Sequence, residues 1–156
     1  MRAVAVRPVT ADDVPRVAGL IRSVLAEFGL AFGEGSETDA QVLALPASYE
    51  SRGGRFWVAL DGGGALLGTC GVFPVGGGDW ELRKMYLDPA ARGRGVGRLL
   101  LDEAVAFARA AGGRRLVLDT TEQMKAAIAF YEAHGFVRDD AQIRGSRCSR
   151  GYARAL

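Results

Sequence analysis

The period of the apolar positions changes several times along this chain, and each change marks an element. Residues 4–9 read as a short strand, and Thr10 then stands where a helix N-cap belongs, with Asp12 and Asp13 in the first turn. Val14, Val17, Leu20, Ile21, Val24, Leu25 and Phe28 recur at helical spacing and predict a helix with one buried face, ending near residue 28. Residues 29–54 are mixed, with a short helix expected over 39–45. Two apolar runs, 55–60 and 65–74, flank Asp61-Gly-Gly-Gly64 and predict a β-hairpin. Gly76-Gly-Gly-Asp79 then leads into a third strand over 80–87. Beyond Pro89 a helix is predicted over 96–110, with Val96, Leu99, Leu100, Ala104, Phe107 and Ala108 on one face and Gly112-Gly113 at its end. A strand over 115–119 and a last helix follow. Thr120 and Gln123 have capping-box spacing for that helix, and His134-Gly135 closes it. Final strands are expected at 136–137 and about 147–155.

Three hairpin-linked strands make an antiparallel meander, and only the passage from 80–87 to 115–119 has the strand-helix-strand form of a parallel crossover. The fold class is therefore α/β of the α+β kind: a mixed, mostly antiparallel sheet of six to seven strands, with about four helices on both faces. No repeat, low-complexity tract or linker divides the 156 residues, so one domain over 1–156 is expected. Apolar residues make up 49% and charged residues 24%, an ordinary globular balance. A net charge of +2 is too small to argue for nucleic acid. The arginines at 114, 115, 144, 147, 150 and 154 lack interleaved aromatics beyond Tyr152, so no nucleic-acid partner is expected. Cys70 and Cys148 form no C-x-x-C pair and read as reduced structural thiols. With no apolar run suited to a signal peptide or membrane span, a cytoplasmic protein free of the membrane is expected. No metal site is expected, and a homodimer stays open.

The chemistry lies in residues 92–98, Arg-Gly-Arg-Gly-Val-Gly-Arg, between the third strand of the meander and a helix. A helix start has unpaired N–H groups and the positive end of its dipole, and glycines let a phosphate reach the backbone. A P-loop requires Lys-Ser or Lys-Thr after its last glycine, whereas Arg98-Leu99 stands here. A dinucleotide fingerprint requires G-x-G-x-x-G near the first strand, whereas this motif is G-x-G-x-G past the middle of the chain. Gly62-Gly-Gly64 joins two strands and reads as turn chemistry.

R-x-x-G-x-G over 92–97, together with Phe130-Tyr-Glu-Ala-His-Gly-Phe136, resembles the GNAT superfamily of acyl-CoA-dependent N-acetyltransferases. The specific motifs occupy residues 81–136, and the element order agrees over nearly the whole chain. The resemblance implies acetyl-CoA as cosubstrate, with its pantetheine arm along Met85, Tyr86 and Leu87. It further implies pyrophosphate on the backbone of Gly93, Arg94, Gly95, Val96, Gly97 and Arg98, while Arg92 shapes the turn or reaches outer phosphates. The implied reaction moves an acetyl group to a primary amine by direct attack, on a small molecule or a protein. The alternative is a non-catalytic acyl-CoA-binding regulatory module.

The resemblance matches Tyr131 to a tyrosine that protonates the coenzyme A sulfur. A phenol of pKa about 10 suits a thiolate whose conjugate acid lies near 8.5. Tyr131 also falls in step with Met124, Ala127 and Ile128, which is a packing role. Glu81 is the general-base candidate, sharing a strand face with Arg83 and Met85 by two-residue alternation. A salt bridge to Arg83 or Lys84, or a carboxylate that binds the acceptor, is the plainer role. His134, at a helix end, reads as a cap. For the acceptor, Phe28, Phe32, Tyr49 and Trp57 either line a pocket or pack, and Glu27, Glu34, Glu37 and Asp39 either attract a cation or face water.

Overall fold

Alternation along strand β2 (Arg55–Leu60) divides the core in two. Phe56 and Val58 point into a cluster with Val17, Ile21 and Leu25 of helix α1 (Val14–Ala26). Trp57 and Ala59 join Leu100, Leu101 and Ala104 of helix α4 (Val96–Ala110). One sheet is thus buried on both faces, and each fully buried aliphatic side chain contributes about 1.5–3 kcal/mol. The computed structural model describes residues 3–33, 36 and 38–156.

Seven strands lie in the order β1-β2-β3-β4-β5-β7-β6, with β1 at Ala5–Pro8, β3 at Leu66–Gly76, β4 at Asp79–Leu87, β5 at Arg115–Thr120, β6 at Val137–Arg138 and β7 at Arg150–Ala155. Every neighbouring pair is antiparallel except β4 and β5, as the single crossover requires. The β3–β4 connection turns on Gly77 and Gly78, both at positive φ, the geometry that two-residue hairpins favour. Asp61 closes the β2–β3 turn by accepting from the amides of Gly63 and Ala65, both at 2.9 Å.

Five α-helices are described, one more than expected, because residues 29–54 hold both α2 (Asp39–Leu43) and a single turn, α3 (Ala47–Glu50). Helix α1 is preceded by a 3-10 turn (Ala11–Asp13), whose Asp13 accepts from the Thr10 amide at 2.8 Å. The expected capping box ahead of α5 (Lys125–Ala133) is not formed. Thr120 belongs to β5, where it is buried against Met124, and the helix starts two residues beyond Gln123. His134 does close α5, its Nδ1 lying 2.7 Å from the Phe130 carbonyl, with Gly135 at positive φ. β7 starts at Arg150 rather than 147, because Asp119 draws the preceding residues into a loop.

Candidate active site

Strands β4 and β5 pair over Asp79↔Arg115, Trp80↔Leu116 and Glu81↔Val117, and there the ladder stops, although β4 continues to Leu87. The two strands splay, and a cleft of about 390 Å³ opens between them. A β-bulge shapes its wall. Between Gly71↔Arg83 and Thr69↔Tyr86, Cys70 alone faces Lys84 and Met85, and Lys84 takes the left-handed conformation at φ 53°. The alternation expected of β4 therefore slips by one residue. Met85 packs with Trp80 and Leu82 in the α4 cluster, opposite to the face that Glu81 and Arg83 share.

A left-handed lysine is held there by what its side chain reaches. Lys84 is buried and forms an ion pair with Asp39 of α2, which is itself fully buried. Asp39 also accepts from the Gly33 amide at 2.6 Å and the Ser36 hydroxyl at 3.1 Å, and Arg147 lies 3.5 Å away. Burial works against the charge of Asp39, but the Lys84 ammonium and the Gly33 amide outweigh it and hold the carboxyl below its usual range. Burial pushes the Lys84 ammonium down, against the pull of Asp39.

Glu81 lines the cleft with its carboxylate split between two fates. Oε1 accepts from Arg83 Nε, which also stacks over the Phe73 ring, while Oε2 is buried without a hydrogen-bond donor among the described residues. Arg144 Nη1 stands 3.6 Å from Oε2, too far for a hydrogen bond. Tyr131 reaches the same cleft from α5, its ring packed on Phe130, Phe136 and Tyr152, so it is at once core and cleft wall. Burial raises its phenol far above the ordinary value.

Met85, Tyr86, Met124 and Ala127 also line the cleft, and the part of the lining that the sequence did not single out comes from a loop. Arg144, Gly145, Ser146, Arg147 and Cys148 enter from the loop between β6 and β7. Asp119 Oδ2 accepts from the amides of Arg144 and Gly145, both at 2.7 Å, and Ser149 donates to the Thr120 carbonyl at 2.9 Å, so β5 pins this loop over the cleft. Arg144 and Arg147 had shown only as members of a basic scatter. Of the same scatter, Arg115 pairs with Asp79 and Arg150 with Glu122. Both cysteines are free; Cys70 is buried, and burial pushes the cleft-lining Cys148 up to about 12.

None of the four aromatics weighed for an acceptor pocket lines the cleft. Tyr49 stacks on Phe56 and Phe73, Trp57 packs on Phe107, and Phe28 and Phe32 lie against the α1 cluster. Glu27 and Asp39 are engaged by Arg92 and Lys84, and Glu34 and Glu37 lie outside the described residues.

Past Leu87 a 3-10 turn (Pro89–Ala91), with Ala90 bonded to Asp88, delivers residues 92–98 to the start of α4. Gly93 and Gly95 have φ of 73° and 81°, and a Cβ at either would meet open space. Gly97 differs, since its Cβ would lie 3.2 Å from the Phe130 ring and it lets α4 and α5 approach. Arg92 is bound to Glu27 and donates to the Leu87 carbonyl, while Arg94 and Arg98 are exposed.

The model of the acetyltransferase (GNAT) family matches residues 21–136, about three-quarters of the chain, including β4, the glycine turn and α5 but not the loop that carries Arg144 and Arg147. The chain belongs to the GNAT family. It is similar to the uncharacterized N-acetyltransferase YjgM of Escherichia coli K12, with 38% identity over 138 residues, covering 86% of this chain and 82% of that protein. The fold matches the acetyltransferase of GNAT family from Staphylococcus aureus Mu50 at a TM-score of 0.90, 22% identity and 99% coverage of both chains. It also matches the GNAT superfamily phosphinothricin acetyltransferase (Pat) from Sinorhizobium meliloti in complex with AcCoA at a TM-score of 0.77, with 23% identity and coverage of 98% and 88%.

This GNAT protein is an acetyl-CoA-dependent N-acetyltransferase. Its own geometry suits the cosubstrate: a stretch of β4 that is paired with β3 but no longer with β5 runs into an open, twice left-handed glycine turn at a helix start. Among the described residues no group of three or more His, Cys, Asp or Glu is placed to hold a metal ion, and no helix is long and apolar enough to cross a membrane.

Proposed function

We propose that this acetyltransferase carries the acetyl group to a primary amine by direct attack, with Glu81 receiving a proton from the amine and Tyr131 giving one to the sulfur. The observation that carries the reading is the Glu81 Oε2 atom: a buried carboxylate oxygen without a donor, in the lining of the cleft that Tyr131 shares. Leaving such an oxygen unpaired costs about 1–3 kcal/mol or more, and an ammonium seated there offsets that cost.

Acetyl-CoA supplies a thioester, its pantetheine lying along Met85, Tyr86 and Leu87 and its pyrophosphate on the amides of Gly93, Arg94, Gly95, Val96, Gly97 and Arg98. Arg92, committed to Glu27 and the Leu87 carbonyl, holds the turn in shape. The bulge at Lys84 lets the following β4 amides face the carbonyl oxygen as its negative charge grows. Proton balance is simple. An ammonium loses two protons on becoming an amide; one reaches the sulfur through Tyr131 and the other leaves through Glu81 to solvent. An ordinary phenol is already protonated across about pH 6–9; burial raises Tyr131 further and so makes it a weaker acid, which yields its proton only as charge develops on sulfur.

Release of free thiol from acetyl-CoA in the presence of amines tests this. Tyr131→Phe keeps the ring contacts and is expected to lower kcat about a hundredfold or more. Glu81→Gln is expected to flatten the acidic limb of the kcat/KM profile. Unchanged turnover across about pH 6–9 in Tyr131→Phe removes the acid role, and an unaltered limb in Glu81→Gln removes the base.

A further inference from the structure

Charge around the acceptor end of the cleft is unbalanced in a particular direction. Arg83, Lys84, Arg144 and Arg147 line it, against Glu81 and Asp119, with Asp39 just behind. Lys84 and Arg147 answer Asp39, and Arg83 answers Glu81 Oε1. Asp119 is engaged by two loop amides. What is left among the described residues is one carboxylate oxygen without a hydrogen-bond donor, Glu81 Oε2, and beside it the Arg144 guanidinium, whose Nη1 donates to the carbonyl and side chain of Gln142 at 3.1 and 3.3 Å. The two form a long ion pair, 3.6 Å apart, and the Arg144 side chain is 39% exposed, so its head is open to a ligand from solvent.

We infer that the acceptor is a free α-amino acid, its ammonium on Glu81 Oε2 and its carboxylate on Arg144. The inference rests on the proposed acetyl transfer to an amine and names the class of amine. An ammonium and a carboxylate on one carbon are opposite charges about one hydrogen-bond length apart, which is the spacing of the Glu81 and Arg144 charges in reverse order. A guanidinium pairs with a carboxylate through two parallel N–H donors, and the pinning of the loop by Asp119 and Thr120 places Arg144 before the substrate arrives. Competing amines fit less well. A polyamine brings a second cation into a cleft whose other carboxylate, Asp119, is already engaged by two loop amides, with Asp39 behind it engaged by Lys84. A protein N-terminus ends in a neutral amide where the amino acid has its carboxylate, leaving Arg144 without an anion.

The test uses the full chain, acetyl-CoA, the common L-amino acids, their primary carboxamides and the corresponding decarboxylated amines, read by thiol release. At least one amino acid is expected to exceed its own carboxamide about tenfold in kcat/KM, roughly the effect of one lost charge-assisted contact. Arg144→Gln is expected to collapse that preference toward unity, and Arg144→Lys, which keeps the charge, to restore part of it. A carboxamide or decarboxylated amine accepted as well as the acid overturns the inference while leaving acetyl transfer to amines standing. The same holds for an acid preference that Arg144→Gln leaves intact. Silence of every amine, with acetyl-CoA still bound in calorimetry, overturns the proposed transfer along with it.

Discussion

Glu27 and Arg92, 65 residues apart, meet in a two-pronged ion pair, Nη1 to Oε1 at 2.7 Å and Nη2 to Oε2 at 2.8 Å. The pair ties the end of α1 to the first residue of the glycine turn, and Arg92 reaches on to the last carbonyl of β4. Hydrogen bonds from Arg92 hold the Glu27 carboxyl below its ordinary range. About a third of each side chain is exposed, so the contribution to stability is under about 1 kcal/mol, and the greater effect is on the shape of the turn. Arg92→Ala is expected to leave thermal unfolding nearly unchanged and to raise KM for acetyl-CoA several-fold. A melting curve and initial rates at varied acetyl-CoA check both.

Gly95 caps α4 in the left-handed conformation, with nothing within 4 Å of where a Cβ would stand. The obstacle to a side chain is therefore backbone strain and not crowding. Gly95→Ala is expected to destabilise by about 1–2 kcal/mol and to weaken acetyl-CoA binding. Gly97→Ala acts through contact with the Phe130 ring instead. Denaturant unfolding and calorimetry on the two variants separate strain from packing.

The Lys84–Asp39 pair couples the left-handed bulge of β4 to the start of α2. Removing one member leaves an uncompensated buried charge, so Asp39→Asn is expected to cost about 3 kcal/mol or more. The double replacement Lys84→Met with Asp39→Leu removes both charges and is expected to cost less than Asp39→Asn alone. A double-mutant cycle by urea unfolding checks the order.

Asp13 carries a pH dependence of known sign. Hydrogen bonds from Arg7, with further ones from Thr10 and Arg16, hold its carboxyl far below the ordinary range. A depressed folded value gives stability that is complete above the unfolded pKa of about 4 and is lost as pH falls toward the folded value. Asp13→Asn is expected to lose about 2 kcal/mol near pH 7, and the gap to the parent protein should narrow below about pH 4. Urea unfolding at about pH 7 and pH 3 measures it.

Elements with a strong local period were legible. The helix predicted over 96–110 is observed as Val96–Ala110, and the meander and its parallel crossover follow the expected order. Where the signal was two isolated residues it failed, as with Thr120 and Gln123, because burial of Thr120 in β5 outweighed a capping pattern. The glycine turn was visible because backbone geometry demands glycines in a fixed order. The arginines over the cleft were not, because they sit on a loop whose path depends on Asp119.

By itself the sequence determined the order of elements, the antiparallel meander, and the glycine turn opening α4, since period, turn chemistry and positive-φ glycines act over a few residues. Tertiary structure alone decided which charges meet: Glu27 with Arg92, Lys84 with Asp39, and Arg144 beside the donor-less oxygen of Glu81. Those pairings span loops whose ends are brought together only by the sheet register and by a one-residue slip at Lys84. Coulombic and hydrogen-bond energies fall away within a few ångströms, so partners far apart in the chain leave no mark on its pattern.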